Sequence, residues 1–243
     1  MRNPDLKRII ALPVFLADGI HTLIDIPLIL GLEAREEDPR FPDGDYPEGH
    51  YLNDLAEIDF DGEIVLLDSI GPNPKLVDII NKRVGEALKT SSNEDARTGV
   101  LILSHGSRLK YNREFLTALY EQYSRQADHP SAYGFMELSE PNIPDSANFL
   151  IKRDNLERLI VIPVFIAPGM HTKIDIKTIL NLIHENEKKN KSKPKNSNIK
   201  KEIKLNKIIL EEDPDHAHKY DETVEFDGEI LYPDPIGADD ILI

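Results

Sequence analysis

Three of the histidines stand where an imidazole could do chemistry. His105 lies in Ser104-His105-Gly106-Ser107, directly after the apolar run Gly99-Val-Leu-Ile-Leu103. His171 lies in Gly169-Met170-His171-Thr172 with Asp175 four residues on, and His21 precedes Asp25 by the same spacing. On a helix beginning near Thr172, positions four apart share a face. Asp175 can then hold one ring nitrogen and leave the other for a proton or a metal ion. A first-turn acid favoured by the helix dipole accounts for Asp175 equally well. Gly106 permits a tight turn, and the helix that follows offers unpaired N–H groups to an anion. The same tetrapeptide is compatible with Ser107 capping that helix and His105 closing the strand. No G-x-S-x-G elbow supports a serine hydrolase, and no P-loop or G-x-G-x-x-G supports a phosphate site.

The elements that must position these residues come from a duplication. Leu156 to Leu180 reads LERLIVIPVFIAPGMHTKIDIKTIL and Leu6 to Leu30 reads LKRIIALPVFLADGIHTLIDIPLIL, with about 15 of 25 positions identical. Each copy is an apolar run, a Gly, His-Thr and an Ile-Asp-Ile helix start. Such a run suits a parallel strand buried on both faces, and the residues just past its carboxyl end are where open α/β sheets put ligands. Phe60-Asp-Gly-Glu-Ile64 and Ile70-Gly71 recur as Phe226-Asp-Gly-Glu-Ile230 and Ile236-Gly237. Further strands are expected at about 9–15, 63–67, 99–103 and 132–135, with helices at about 74–89, 112–126 and 144–153.

Three units of organisation follow: 1–89 as the second half of a repeat, 90–97 as a polar linker, and 98–243 as a nearly complete repeat. The fold class is α/β, a doubly wound parallel four-stranded sheet of order 2-1-3-4, with one and a half repeat units in the chain. Strands 1 and 3 are then neighbours, and His105 and His171 face one crevice. Two histidines without cysteine make a site of moderate affinity for borderline divalent ions such as Co, Ni or Fe, with coordination positions left open. Either copy of the third strand, in Leu6 to Leu30 or in Leu156 to Leu180, could dock on Val100 to Leu103. The stretch 187–207 carries nine lysines with Asn, Ser and one Pro and reads as a disordered insertion, about 185–207. Residues 33–61 are acidic and rich in Pro and Gly, an irregular excursion.

Composition narrows the function. The net charge of −15 opposes a nucleic-acid or anionic-membrane partner. With no cysteine there are no disulfides, thiolate metal sites or cysteine nucleophiles. Without an apolar run of roughly 18 residues or a signal-peptide pattern, the expectation is a cytoplasmic protein.

Four motifs in order, SHGSRLKYNREF, GFMELSEPNIP, RLIVIPVFIAPGMHTKIDI and EILYPDPIGAD, resemble the small archaeal-type class II chelatases. These are the sirohydrochlorin cobaltochelatases and nickelochelatases, the CbiX/CfbA family. The resemblance covers residues 98–243, and its second half recurs in 1–89. It implies an enzyme inserting Co2+ or Ni2+ into sirohydrochlorin, for cobalamin or a nickel tetrapyrrole coenzyme, with no organic cofactor. It assigns His105 as metal ligand and proton acceptor and His171 as second ligand. Glu140 and the run Ile166, Ala167, Pro168, Gly169 and Met170 would contact the macrocycle. Asp175, as support for His171, and His21, as its copy, are further candidates. Members pair as homodimers or as tandem lobes, so dimerisation or intramolecular lobe pairing is expected. The loop that is often His-rich in the family holds His184, His216 and His218 here, among lysines. A non-catalytic metal or tetrapyrrole binder, or a truncated fragment needing a partner chain, is the competing expectation.

Overall fold

The computed structural model describes residues 6–55, 58, 60–183, 222–237 and 239. The expected lysine-rich insertion at about 185–207, together with His184, His216 and His218, lies outside them. Strands β1 (Arg8–Ala11) and β2 (Glu63–Leu66) pair in parallel, with Ile9 opposite Ile64. Strands β3 (Thr98–Ser104), β4 (Ser131–Phe135), β5 (Arg158–Pro163) and β6 (Glu229–Leu231) form a second parallel sheet in the order β4-β3-β5-β6. Counted within that sheet the order is 2-1-3-4, the order expected. Every residue of β3 and of β5 is buried, which is why both read as unbroken apolar runs.

The helices are α1 (Ile26–Ile29), α2 (Pro74–Leu88), α3 (Lys110–Ser124), α4 (Ile143–Asp154) and α5 (Ile176–Ile179). α2 begins where the Asn73 side chain accepts the Lys75 N–H and Pro74 occupies the first turn. α4 uses the same device, with Asn142 accepting from Asp145 N–H and Pro144 following, and it ends at left-handed Asn155. One face of the four-stranded sheet, Val100, Ile102, Ile160, Ile162 and Val164, is covered by α3 together with α2 from the leading half. Leu101, Leu103, Leu159 and Val161 on the other face pack against α4 and α5. Burying an aliphatic side chain of this kind is worth about 1.5–3 kcal/mol, so α2, which buries Leu76, Ile79, Ile80 and Val84, is a principal part of that core.

Polar ties reinforce the crossing. Asp239 pairs with Lys82 (2.9 Å) and Arg83 (3.1 Å) of α2, and Gln122 of α3 donates to Pro72 O (2.8 Å). Arg158 is 1% exposed and its guanidinium donates to Glu229 (2.7 Å), Thr98 (3.1 Å), Ser91 (2.6 Å) and Asn93 O. A buried cation is tolerable when it is paired and hydrogen-bonded, and here the polar linker supplies two of the acceptors.

Of the two copies of the third strand, β5 is the one docked on β3, with Leu101 opposite Val161. β1 stays with β2, and among the described residues no strand pairs with its outer edge to hold residues 12–15 in a ladder. It is accordingly shorter than the 9–15 expected. Ile10, Leu12 and Val14 are 63%, 62% and 62% exposed, whereas their twins Ile160, Ile162 and Val164 are 0%, 0% and 4% exposed.

Candidate metal site at the carboxyl edge of the sheet

Sheet pairing continues past the strand ends and brings three loops together. Met136 N–H donates to Ser104 O (2.9 Å), Glu137 N–H to His105 O (3.0 Å) and Val164 N–H to Leu103 O (2.7 Å). The turn after β3 therefore sits between the exits of β4 and β5. The rings of His105 and His171 lie 4.7 Å apart, edge to face at 79°. Their side chains are 37% and 33% exposed, open to a solute while shielded on one side.

Each imidazole is oriented through Nδ1. His171 Nδ1–H donates to Asp175 Oδ2 at 2.7 Å. His105 Nδ1–H donates to Gly106 O at 3.0 Å, and since a carbonyl only accepts, this fixes the hydrogen on Nδ1. With Nδ1 engaged in this way, Nε2 is the ring atom through which each imidazole can coordinate an ion. His105 Nε2 lies 3.3 Å from Glu137 Oε1. A lone pair and a carboxylate face each other comfortably only with a proton or a cation between them. Among the described residues no trio of His, Asp or Glu is preset round one ion. An ion held at His105 Nε2 would therefore lie beside the Glu137 carboxylate.

Local sequence explains the geometry. Residues His171–Asp175 form a π-helical turn in which Ile176 N–H reaches back five residues to His171 O. Gly169 N–H donates to Thr172 Oγ1 (2.9 Å), and the Thr172 hydroxyl donates to Gly169 O (3.2 Å). A single widened turn of this type often marks a functional site. Gly106 has φ +93°, and a Cβ there would stand 1.7 Å from Glu137 O. Gly106→Ala is thus expected to push the His105 turn away from Glu137 and to cost more than about 2 kcal/mol of stability, read from the urea unfolding midpoint.

The run Ile166–Met170 forms the lip between β5 and His171, with Ala167, Pro168 and Gly169 exposed. Glu140 is also exposed, and its carboxylate accepts the Asn142 N–H (2.9 Å) at the start of α4. The carboxylate that meets His105 is instead Glu137, which the sequence reading did not single out. The signal available was its place two residues beyond the end of β4, beside the strand that carries His105. Leu138, at φ +61° and 53% exposed, is a second residue of this turn that the sequence did not flag.

The leading copy repeats the dyad in a different setting. His21 Nδ1–H donates to Asp25 Oδ2 (2.6 Å), and the ring is 70% exposed. Asp25 is also bound by Arg40 (2.5 Å), which pairs with Asp38 (2.7 Å). Burial disfavours ionised Asp25, but hydrogen bonds from Arg40, His21 and Tyr51 outweigh it and hold the carboxyl below its ordinary 3.8. Asp38 is lowered chiefly by its hydrogen bond to Arg40. Both depressed groups stabilise the fold fully above the unfolded value near 4, and that contribution is lost as pH falls through the lower folded values. Arg40→Gln is expected to move acid unfolding of the leading half to higher pH, measured by circular dichroism. The segment Glu36-Glu37-Asp38-Pro39-Arg40 recurs as Glu211-Glu212-Asp213-Pro214-Asp215. The trailing copy therefore has an acid where the leading copy has its clamping arginine.

Two solved structures share this architecture. SirB from Bacillus subtilis with Fe3+ superposes with a TM-score of 0.55 at 14% identity, over 98% of this chain and 68% of that one. DR2241 from Deinococcus radiodurans, a multi-domain protein described as structurally similar to chelatases, gives 0.55 at 16% identity, over 97% and 39%. The fold is therefore of the chelatase class. Within that class the chain belongs to the CbiX family, whose model matches residues 1–87 and 99–243. A sirohydrochlorin cobaltochelatase of Methanothermobacter thermautotrophicus is 45% identical over 95 residues, 39% of this chain and 66% of its own length. That of Methanocaldococcus jannaschii is 34% identical over 145 residues, 59% and 91% respectively. Among the described residues no helix is long and apolar enough to cross a membrane.

Proposed function

We propose that the chain is a metal chelatase that inserts Co2+, or alternatively Ni2+, into sirohydrochlorin. The observation that carries the reading is the pair of Nδ1-anchored imidazoles, rings 4.7 Å apart, with Glu137 beside His105. Chelation exchanges one divalent ion for two pyrrole N–H protons. His105 and His171 hold the incoming ion through Nε2. As it passes to the ring nitrogens, His105 and Glu137 stand ready to take the displaced protons. Two imidazoles release a metal more readily than a closed four-ligand cage would. The lip Ile166–Met170 and Leu138 offer apolar contact to the macrocycle, and exposed Arg108 offers a partner for its carboxylates. The organisation into 1–89, 90–97 and 98–243 and pairing of lobes or of chains around the cleft belong to the same proposal. So does delivery of the product to cobalamin or a nickel tetrapyrrole coenzyme.

The test is to mix the purified chain with sirohydrochlorin and Co2+ and follow the tetrapyrrole absorption bands against a protein-free control. Acceleration of the metallated spectrum is expected; metal and macrocycle binding without acceleration would favour a carrier. The bare Ile10, Leu12 and Val14 favour one variation, in which the chain works only with a partner chain that covers them. Full turnover by the isolated chain removes it.

A further inference from the structure

We propose that Asn112 is the positioning residue that presents His105 to its partners, an inference that rests on the chelatase reading of the site. Asn112 lies in the first turns of α3, and its side-chain oxygen accepts two hydrogen bonds. One comes from the Ser104 hydroxyl at 2.6 Å and the other from Gly106 N–H at 3.1 Å. A backbone N–H can only donate, so the atom facing it must be the amide oxygen. The two donors belong to the residues on either side of His105. One oxygen therefore spans the histidine, holding the Ser104 side chain on one flank and the Gly106 backbone on the other.

The effect reaches the ring through Gly106. Asn112 holds that residue by its N–H, and the carbonyl of the same residue takes the hydrogen on His105 Nδ1. Gly106 sits at φ +93° against Glu137 O, a conformation that a free loop would leave readily. Holding it there keeps Nε2 beside Glu137 and the ring 4.7 Å from that of His171. Asn112 itself touches neither ring nitrogen. It does for His105 through a peptide group what Asp175 does directly for His171. Ser139 strengthens the arrangement from the opposite loop, accepting Ser107 N–H (3.0 Å) and donating to Ser107 O (2.7 Å).

The experiment measures Co2+ affinity of the full chain by competition with a metallochromic dye, alongside Gly106 amide exchange and steady-state kinetics with sirohydrochlorin. Asn112→Leu is expected to weaken Co2+ about 10–100-fold, speed Gly106 exchange and lower kcat with KM for the macrocycle little changed. Asn112→Asp retains an oxygen able to accept both donors and is expected to recover most of the affinity, which a purely space-filling role would not predict. A folded Asn112→Leu with wild-type Co2+ affinity overturns the proposal, as does an Asn112→Asp that binds no better than Asn112→Leu. If Asn112→Leu does not fold, Ser104→Ala, which removes one donor alone, is expected to weaken Co2+ by several-fold, and unchanged affinity there also overturns it. His105→Ala measured in parallel separates the layers. If it abolishes Co2+ binding while Asn112→Leu does not weaken it, only the positioning role fails. If it leaves Co2+ affinity intact, the chelatase reading of the site fails and the positioning role with it.

Discussion

Alanine in place of His105 or His171 is expected to lower the rate of Co2+ insertion into sirohydrochlorin by on the order of 10^2–10^4-fold, the range for losing a positioned proton-transfer group. The two losses differ in kind. His105 is flanked by Glu137 at 3.3 Å, so its removal takes away the proposed ligand and the imidazole beside that carboxylate together. His171 is backed by Asp175, a side chain only 9% exposed. Its removal leaves a nearly buried carboxylate without its imidazole, which adds a stability cost of about 1–3 kcal/mol. Asp175→Asn keeps the His171 ring but weakens its orientation and should reduce Co2+ affinity about 10–100-fold. Stopped-flow absorbance for insertion, with calorimetric titration for the ion, reads both quantities. Wild-type rates in both alanine variants would end the assignment of this hollow as the metal site.

Truncating the same strand position in the two copies is expected to give opposite results. Ile162→Ala deletes methyl groups from a side chain of zero exposure, packed in the core that α2 and α3 share, and should cost about 2–5 kcal/mol. Leu12→Ala, at the equivalent position just beyond the end of β1, deletes atoms that are 62% exposed and should change stability by no more than about 0.5 kcal/mol. The comparison isolates environment from sequence, because the segments around both residues are so nearly alike. Urea unfolding of the two variants measures it. Equal destabilisation would mean that β1 is covered in solution, which pairing between chains would achieve.

The same pair of strands shows where sequence reasoning reaches its limit. Unbroken apolar runs at 99–103 and 159–164 predicted buried strands, the alternation of strands and helices predicted that they are parallel, and the order 2-1-3-4 came with the chelatase resemblance. Which copy docks on β3 was not legible, because the local pattern is nearly the same in both and the choice is made by what α4 connects and by the cores on either side. The approach of His105 to His171 was legible from topology, since adjacent strands put their exits side by side. Glu137 was not. It shares an exit loop with Glu140, and only the continued pairing of Glu137 N–H to His105 O distinguishes them. The π-helical turn was likewise hidden. An i to i+4 His-Asp spacing reads as ordinary helix, and the extra width appears only once Ile176 reaches back to His171.

The origin of α2 bears on how the chain is made. Leu76, Ile79, Ile80 and Val84 leave the ribosome before any strand of the sheet they cover, and Ile160 and Ile162 follow only some eighty residues later. Until then the helix carries a greasy stripe with nothing to rest on, and closing the loop that joins it to its sheet has an entropic cost that local contacts do not offset. Completion of the larger lobe is therefore tied to late synthesis, and the nascent leading half is the natural client for a holding chaperone.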